Sequence, residues 1–237
     1  MSVAACGTNC LLHRAHPSTS IGSQPAGLID IAAAVVAQCR STSVHEQALT
    51  AEDTVIKRKQ RIPMRDLAGM AAEDRETVEK NAMNGQIFNI FKVLAHHPKL
   101  VKRWTPFAGH ILSKQSLPFR DRELLILRIG WLNQAEYEFA QHELIARRGG
   151  ITEQEIEQIK QGSKGSWNEH DAALMQAADD LYENSVVSDP TWAILSKTYS
   201  TEQMVDVVFT IGQYNMVSWA LNSFGVPLDD FLPGARK

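Results

Sequence analysis

The aromatic residues of this chain are confined to one part of it. No Phe, Trp or Tyr occurs before Phe88, and all eight Phe, five Trp and four Tyr lie from that residue onward in a chain of 237 residues. Large aromatic side chains bury the most area and dominate a protein core. We therefore expect one packed domain over residues 56–237, which is long enough for a sizeable core, preceded by an extension over residues 1–55.

The extension has the composition of a tail. It is rich in Ala, Ser and Thr, its first acidic residue is Asp30, and its only Arg or Lys residues before Lys57 are Arg14 and Arg40. Few acids and many Ser are typical of an organelle-targeting peptide, but such peptides usually carry more Arg. We expect a disordered, dispensable extension on a cytoplasmic protein, with organellar targeting as the alternative.

Charge and cysteine usage exclude several classes of protein. The formal net charge of −3 gives no field that would recruit nucleic acid or an anionic membrane. The only cysteines are Cys6, Cys10 and Cys39, so a disulfide-built secreted domain is not expected. Residues 207–226 carry no charge, but the polar side chains among them favour a core helix at a subunit interface over a membrane span.

Apolar residues recur at helical spacing throughout the packed domain, and no stretch alternates as a strand would. We expect an all-α fold in which Asn133 caps the start of a helix that Gly149-Gly150 ends. Two capping boxes start later helices, one at Thr152 and Glu155 and the other at Ser200 and Gln203. The predicted helices cover residues 66–80, 87–94, 100–112, 123–132, 134–148, 152–162, 168–182, a segment from 189 and 200–224.

One group of residues suits proton-transfer chemistry. Glu138 and His142 are four residues apart, so they share one helix face. A carboxylate beside an imidazole orients the ring and raises its pKa, which suits a general acid or base. Glu123 lies on the preceding helix, which the break at Asn133 could fold back toward the same place. The alternative is that Glu138 and His142 form an ordinary ion pair at the surface.

Three segments resemble the carboxymuconolactone decarboxylase family. They are Leu117–Leu127 (LPFRDRELLIL), Glu136–His142 (EYEFAQH) and Gly212–Asn222 (GQYNMVSWALN), within a likeness that spans about residues 87–227. The resemblance implies an alkylhydroperoxidase D-like helical fold that assembles as a homotrimer or homohexamer. Apolar helices without a clear wet face, such as residues 207–224, support assembly on physical grounds.

The resemblance also indicates which branch of the family this chain is similar to. The alkylhydroperoxidase members carry Cys-x-x-Cys-x-x-x-His with a Glu twelve residues before the first Cys, and Glu123 and His142 match that Glu and His. The two cysteine positions fall on Ala135 and Glu138, which excludes peroxide reduction by that disulfide. What remains resembles the decarboxylase-like branch, whose members act without metal or organic cofactor. Many of its members have His at the position of Asn215.

The residues and the resemblance together give one leading hypothesis. The chain is expected to be a cofactor-free lyase or isomerase that moves a proton on a small carboxylated lactone or enolisable acid. His142 is the expected acid or base, oriented by Glu123 or Glu138. The expected substrate-binding residues are Arg120, Arg122, Tyr137, Gln213 and Asn215.

Each part of this hypothesis has an alternative. Arg120 or Arg122 would pair with a substrate carboxylate, although Arg122 could equally bridge subunits. No metal site is expected, because His96 and His97 have no tight ligand spacing to the other candidates. The alternative functions are a non-catalytic assembly or binding member of the fold, or a hydroperoxidase-like protein that lacks the usual cysteines.

Overall fold

Helices make up nearly all the regular structure of the computed structural model, which describes residues 58–83 and 85–235. The only extended pairing in these residues is an isolated bridge between Met83 and Gln86. The all-α fold is confirmed, while the predicted extension over residues 1–55 lies outside the described residues. In the described part the helices are α1 (Ala72–Glu79), α2 (Asn89–Leu94), α3 (Pro98–Ser113), α4 (Phe119–Leu132), α5 (Glu136–Arg148), α6 (Glu153–Gln161), α7 (Glu169–Asn184), α8 (Asp189–Leu195) and α9 (Thr201–Phe224).

Both predicted capping boxes are present. The Thr152 hydroxyl accepts from the amide of Glu155 at the start of α6, and the Ser200 hydroxyl accepts from the amide of Gln203 at the start of α9. In each box the third residue bonds back to the cap, so two amide donors that have no partner inside the helix are satisfied.

Several predicted boundaries were wrong. Helix α1 begins six residues after Asp66, because the Asp66 carboxylate accepts the amide of Ala68 and stabilises a turn instead of a helix. Helix α4 begins directly after Pro118, one turn earlier than predicted. Asn133 does not cap the start of α5: it ends α4, and its side-chain amide donates to the carbonyl of Ile129. The turn to α5 is made by Gln134 in a left-handed conformation (φ 50°).

Helix α4 is the centre of the molecule. It packs against α5, α6, α7 and α9, which surround it on all sides. Its apolar residues from Leu124 to Leu127, together with Ile129, are fully buried. This explains why the segment is hydrophobic nearly all round, and it places any polar residue of α4 inside the protein.

Helix α9 has two different faces. One face packs against α4 and carries the buried residues Ile211, Tyr214 and Ser218. The opposite face leaves large apolar side chains in solvent, including Phe209 and Trp219. Trp219 is 57 % exposed. No helix in the described residues is long and apolar enough to cross a membrane.

Candidate active site

The chain reversal between α4 and α5 brings the predicted acid–base residues together. Glu123 lies in the second turn of α4, and His142 lies near the middle of α5, which returns antiparallel along it. Asn133 supports the reversal, because its side-chain amide also donates to Oδ1 of Asn215 on α9 at 2.7 Å. The turn of the hairpin is thus tied to a third helix.

His142 is enclosed by two carboxylates. Its Nδ1 lies 2.7 Å from Oε2 of Glu123, and its Nε2 lies 3.2 Å from Oε1 of Glu138. Glu123 is 0 % exposed, and Glu138 and His142 are each 5 % exposed. The alternative of a surface ion pair is therefore wrong. Since both ring nitrogens face carboxylate acceptors, both are suited to carry a hydrogen, as in the imidazolium cation.

The pKa of His142 agrees with a ring that is protonated at both nitrogens. Burial by itself lowers the pKa of the ring, but the two carboxylates outweigh burial and raise the pKa to about 9. Burial likewise acts to raise the pKa of Glu123, and the positive charges of His142 and Arg122 overcome it and lower the pKa below its usual value. The resting site therefore holds an ionised Glu123 and a protonated His142 at neutral pH.

Arg122 completes the charge balance of the site. Its Nε and Nη2 donate to Oε1 of Glu123 at 3.2 and 3.0 Å, so the two oxygens of Glu123 serve Arg122 and His142 separately. The guanidinium also lies 4.9 Å above the ring of Phe119. Two carboxylates, one guanidinium and one imidazolium form a neutral buried group, which a desolvated site requires.

Tyr214 is a site residue that the sequence reasoning missed. Its ring meets the ring of His142 edge-on, with 4.9 Å between centroids. Burial first, and the charges of Glu138 and Glu123 second, raise the pKa of its phenol well above the usual value, so the hydroxyl stays a donor. Within the described residues that hydroxyl has no hydrogen-bond partner. The signal was its place between Gln213 and Asn215 in a family-like segment.

Four of the expected substrate-binding residues lie away from His142. Arg120 donates to Glu155 and to both carboxylate oxygens of Asp171, so its hydrogen bonds go to α6 and α7. The other three have separate partners: the hydroxyl of Tyr137 donates to Asp229, Gln213 accepts from Nε1 of Trp104, and Asn215 accepts from Asn133. Of the five, the structure brings only Arg122 to the cluster.

A second histidine cluster lies on the other side of α4. Asp121, His170 and Asp171 offer ligand atoms within 4.8 Å of one another, which is compatible with a cation. Protein donors already use them, however: the hydroxyl of Tyr199 donates to Asp121 at 2.5 Å, and Arg120 bonds both oxygens of Asp171. The guanidinium supplies the positive charge there, so the donors present do not favour a metal ion.

Two cavities flank the helix turn at residues 133–135. The first, of about 730 Å³, is lined by Tyr137 and by the segment that follows α9. The second, of about 460 Å³, is lined by Gly130, Trp131, Ala135 and Phe139 among others. Neither cavity is lined by His142 itself. Glu138 does not line the second cavity either, but it packs against Gly130 of the cavity wall, because a Cβ placed on Gly130 would lie 3.8 Å from its Cγ.

The comparisons with known proteins agree with this architecture. Residues 98–160 match the Carboxymuconolactone decarboxylase family, and this segment holds Glu123, Glu138 and His142. No curated protein matches the chain. Among solved structures, an alkylhydroperoxidase AhpD core, an uncharacterized peroxidase-related protein from Ralstonia eutropha JMP134, is similar with a TM-score of 0.63 and 20 % identity, covering 72 % of this chain and 92 % of that one.

Two further structures share the fold. An uncharacterized peroxidase-related protein from Silicibacter sp. TM1040 is similar with a TM-score of 0.64 and 15 % identity, over 76 % of this chain and 96 % of that one. The debrominase Bmp8, in a complex with 2,3,4-tribromopyrrole, is similar with a TM-score of 0.56 and 14 % identity, over 74 % and 92 %. Identities this low establish the fold alone. The family match covers residues 98–160, so that segment is similar to the carboxymuconolactone decarboxylase family, and the described helices share the AhpD-like fold.

Proposed function

We propose that this protein is a cofactor-free lyase or isomerase that transfers a proton to or from carbon in a small carboxylated lactone or enolisable acid. One observation carries the proposal: a histidine sealed in the protein between Glu123 and Glu138, with a pKa raised to about 9. Perturbed titratable groups held together in a buried site are typical of acid–base catalysis. The family match to residues 98–160 supports the same class of chemistry.

The charge state decides the direction of the first proton transfer. Because His142 rests as an imidazolium, it is the acid rather than the base. In a decarboxylation the bond to the carboxylate breaks, its electron pair passes into the adjacent carbonyl as an enolate, and CO₂ leaves. The enolate carbon then takes a proton from the His142–Glu138 pair, and the pair takes one proton back from solvent, so the decarboxylation consumes one proton overall. In an isomerisation the carboxylate of Glu138 first takes the proton from carbon, and the pair then returns one.

Each neighbour of His142 has a separate part in this scheme. Glu138 has no partner but His142 among the described residues and packs against Gly130 of the second cavity's wall, so we assign it as the member that meets the substrate. Glu123 is fully buried and holds the ring in place, while Arg122 keeps Glu123 ionised. The hydroxyl of Tyr214, which has no partner among residues 58–83 and 85–235, is the proposed donor to the enolate oxygen.

The test is turnover in deuterated water. A panel of carboxylated lactones and β-keto acids is incubated with the wild-type protein, and CO₂ release and deuterium incorporation are measured. We expect one substrate class to lose CO₂ or to exchange a C–H, with one deuterium at the reacting carbon per turnover. A panel in which no member reacts or exchanges above the rate in buffer would refute the proposal.

A second candidate role is assembly. Helix α9 exposes Val205, Phe209, Gly212, Met216 and Trp219, whose spacing of four, three, four and three residues matches the seam of a coiled coil. Phe107 of α3 extends the same surface, with its ring edge-on to that of Phe209. We propose that a second copy of the chain covers this stripe, within the homotrimer or homohexamer that the resemblance implies.

Light scattering tests this assembly. The wild-type protein is expected to be an oligomer at micromolar concentration, and Phe209→Glu with Trp219→Glu is expected to give monomers by placing charge in the seam. The matched control is Val186→Glu, since Val186 is 62 % exposed and lies off the stripe. A monomeric wild-type protein would exclude this role.

A further inference from the structure

The second cavity has an aromatic floor. Trp131 is the last-but-one residue of α4, and Phe139 lies in the first turn and a half of α5. Their ring centroids are 5.6 Å apart and the ring planes meet at 60°, so together they form a corner. Trp131 is 37 % exposed and lines the cavity, so part of its ring is accessible to a ligand there.

The ammonium group of Lys160 lies near both rings of this corner. Nζ of Lys160, at the end of α6, lies 5.3 Å from the Trp131 ring centroid and 5.9 Å from that of Phe139. One of its three hydrogens goes to Oε1 of Glu157 at 2.6 Å, which leaves two for another acceptor. Low-dielectric aromatic walls strengthen the attraction of this ammonium for an anion.

The position of Lys160 is held from inside the protein. The guanidinium of Arg128 donates to the carbonyls of Ile159 and Lys160 at 3.0 Å each, and its Nε donates to Asp179 at 2.6 Å. The carbonyl of Ile159 also accepts from the amide of Gly162, so the last turn of α6 is held both by its own backbone and by Arg128. The backbone that carries the ammonium is therefore fixed relative to the aromatic corner.

The wall of the cavity lies against the proposed proton-transfer group. Gly130 forms part of its wall, and the side chain of Glu138 lies directly behind that glycine. A volume of about 460 Å³ lies within the range of small-molecule sites, roughly 300–1,000 Å³. A ligand in this cavity would have its anion on Lys160 and its ring against Trp131 and Phe139, with Gly130 between the ligand and the side chain of Glu138.

We propose that this cavity is a binding site for a planar, conjugated monocarboxylate, with Lys160 as its anchor and the ring seated in the corner of Trp131 and Phe139. The inference rests on the proposed function for what happens after binding. The binding itself is a separate claim. A flat ring stacks on one aromatic face and meets the other edge-on, whereas a puckered saturated ring cannot lie flat on either.

The experiment is calorimetric titration of the full chain with benzoate and with cyclohexanecarboxylate, which have the same charge and nearly the same size. We expect benzoate to bind and cyclohexanecarboxylate to bind several-fold more weakly. Lys160→Met should weaken benzoate binding about tenfold, by the loss of one partly desolvated ion pair. The matched control is Lys164→Met, because Lys164 is exposed and lies outside the cavity, and it should leave binding unchanged.

Two results would overturn the site. One is a wild-type protein that does not bind benzoate at tens of millimolar, and the other is a Lys160→Met protein that binds it as well as the wild type. Failure of the proposed function is seen separately, by titrating His142→Gln. If benzoate still binds and turnover persists in that variant, the site stands and the proposed chemistry fails. If the wild-type protein turns over its substrate but does not bind benzoate, and His142→Gln loses turnover, the chemistry stands and the site fails.

Discussion

Two histidines of this protein have nearly the same surroundings, but their clusters differ in which hydrogen bonds are already made. The ring of His142 meets Tyr214 edge-on at 4.9 Å and lies between Glu123 and Glu138. The ring of His170 meets Tyr199 edge-on, also at 4.9 Å, beside Asp121. The two carboxylates on α4, Asp121 and Glu123, are two residues apart, so they leave the helix on opposite sides and reach different histidines.

The difference lies in which hydrogen bonds are already made. In the His170 cluster the Tyr199 hydroxyl donates its hydrogen to Asp121. Both ring nitrogens of His170 also have hydroxyl partners, Tyr199 and Thr198, at 3.1 Å each. In the His142 cluster the Tyr214 hydroxyl has no partner among the described residues. A complete network holds helices together, whereas an incomplete one has a donor left for a substrate.

The largest effect should come from replacing each histidine in turn. His142→Gln should lower turnover by about 10²–10⁴-fold, the usual contribution of a general acid. His170→Gln should keep turnover within about twofold, since the proposed chemistry does not use that cluster. Turnover of the substrate found by the deuterium assay is the measurement.

Circular dichroism and light scattering on both variants show whether the fold and assembly persist. Equal losses of turnover in the two variants would remove the distinction between the clusters. A His142→Gln protein that runs at the wild-type rate would show that the buried histidine is structural.

The second prediction uses pH to separate the clusters. The pKa of His142 rises from about 6.5 in the unfolded chain to about 9 in the folded one. A raised folded pKa stabilises the protein fully below the unfolded value and loses that contribution as pH rises through the folded value. The free energy of unfolding should therefore fall by on the order of 3 kcal/mol between about pH 6.5 and pH 9.

Glu123 sets the other edge of this window. Its pKa is lowered by His142 and Arg122 against the effect of burial, so its contribution is present above its unfolded pKa and is lost as pH falls through the folded one. Urea unfolding at a series of pH values measures both edges. His142→Gln should abolish the alkaline decline and His170→Gln should keep it. A decline that survives His142→Gln would assign the titration to another group.

The His142 half of this comparison was largely predictable from the sequence. Glu138 and His142 share a face by their spacing, and the break at Asn133 indicated a reversal that could bring Glu123 to the same place. Local signals also predicted both capping boxes, because a Ser or Thr and the acid or amide three residues later are enough to define them.

What escaped prediction depends on contacts between distant segments. Arg120 and Arg122 look equivalent in sequence. In the structure Arg120 donates to Glu155 and Asp171, which belong to two later helices, instead of joining the His142 cluster. Tyr214 is one of three polar residues in a row on α9, and only the packing of α9 against α5 shows which of them faces His142. The His170 cluster joins residues up to 78 positions apart, which no local spacing announces.

The smallest effects should come from removing one hydroxyl from each tyrosine, and they should fall on different properties. Tyr199→Phe leaves Asp121 without its shortest donor in a buried place, so it should cost about 1–3 kcal/mol of unfolding free energy while turnover stays unchanged. Tyr214→Phe removes a hydroxyl that bonds nothing among the described residues, so stability should change by less than about 0.5 kcal/mol. If that hydroxyl donates to the enolate oxygen, the same change should lower kcat by about five- to tenfold with little effect on KM, since the bond strengthens only as charge develops. Urea unfolding and steady-state kinetics on the two variants measure this crossed pattern. A Tyr214→Phe protein that loses stability but keeps its kcat would show that the two tyrosines do the same structural work, and the contrast between the clusters would then rest on the histidines alone.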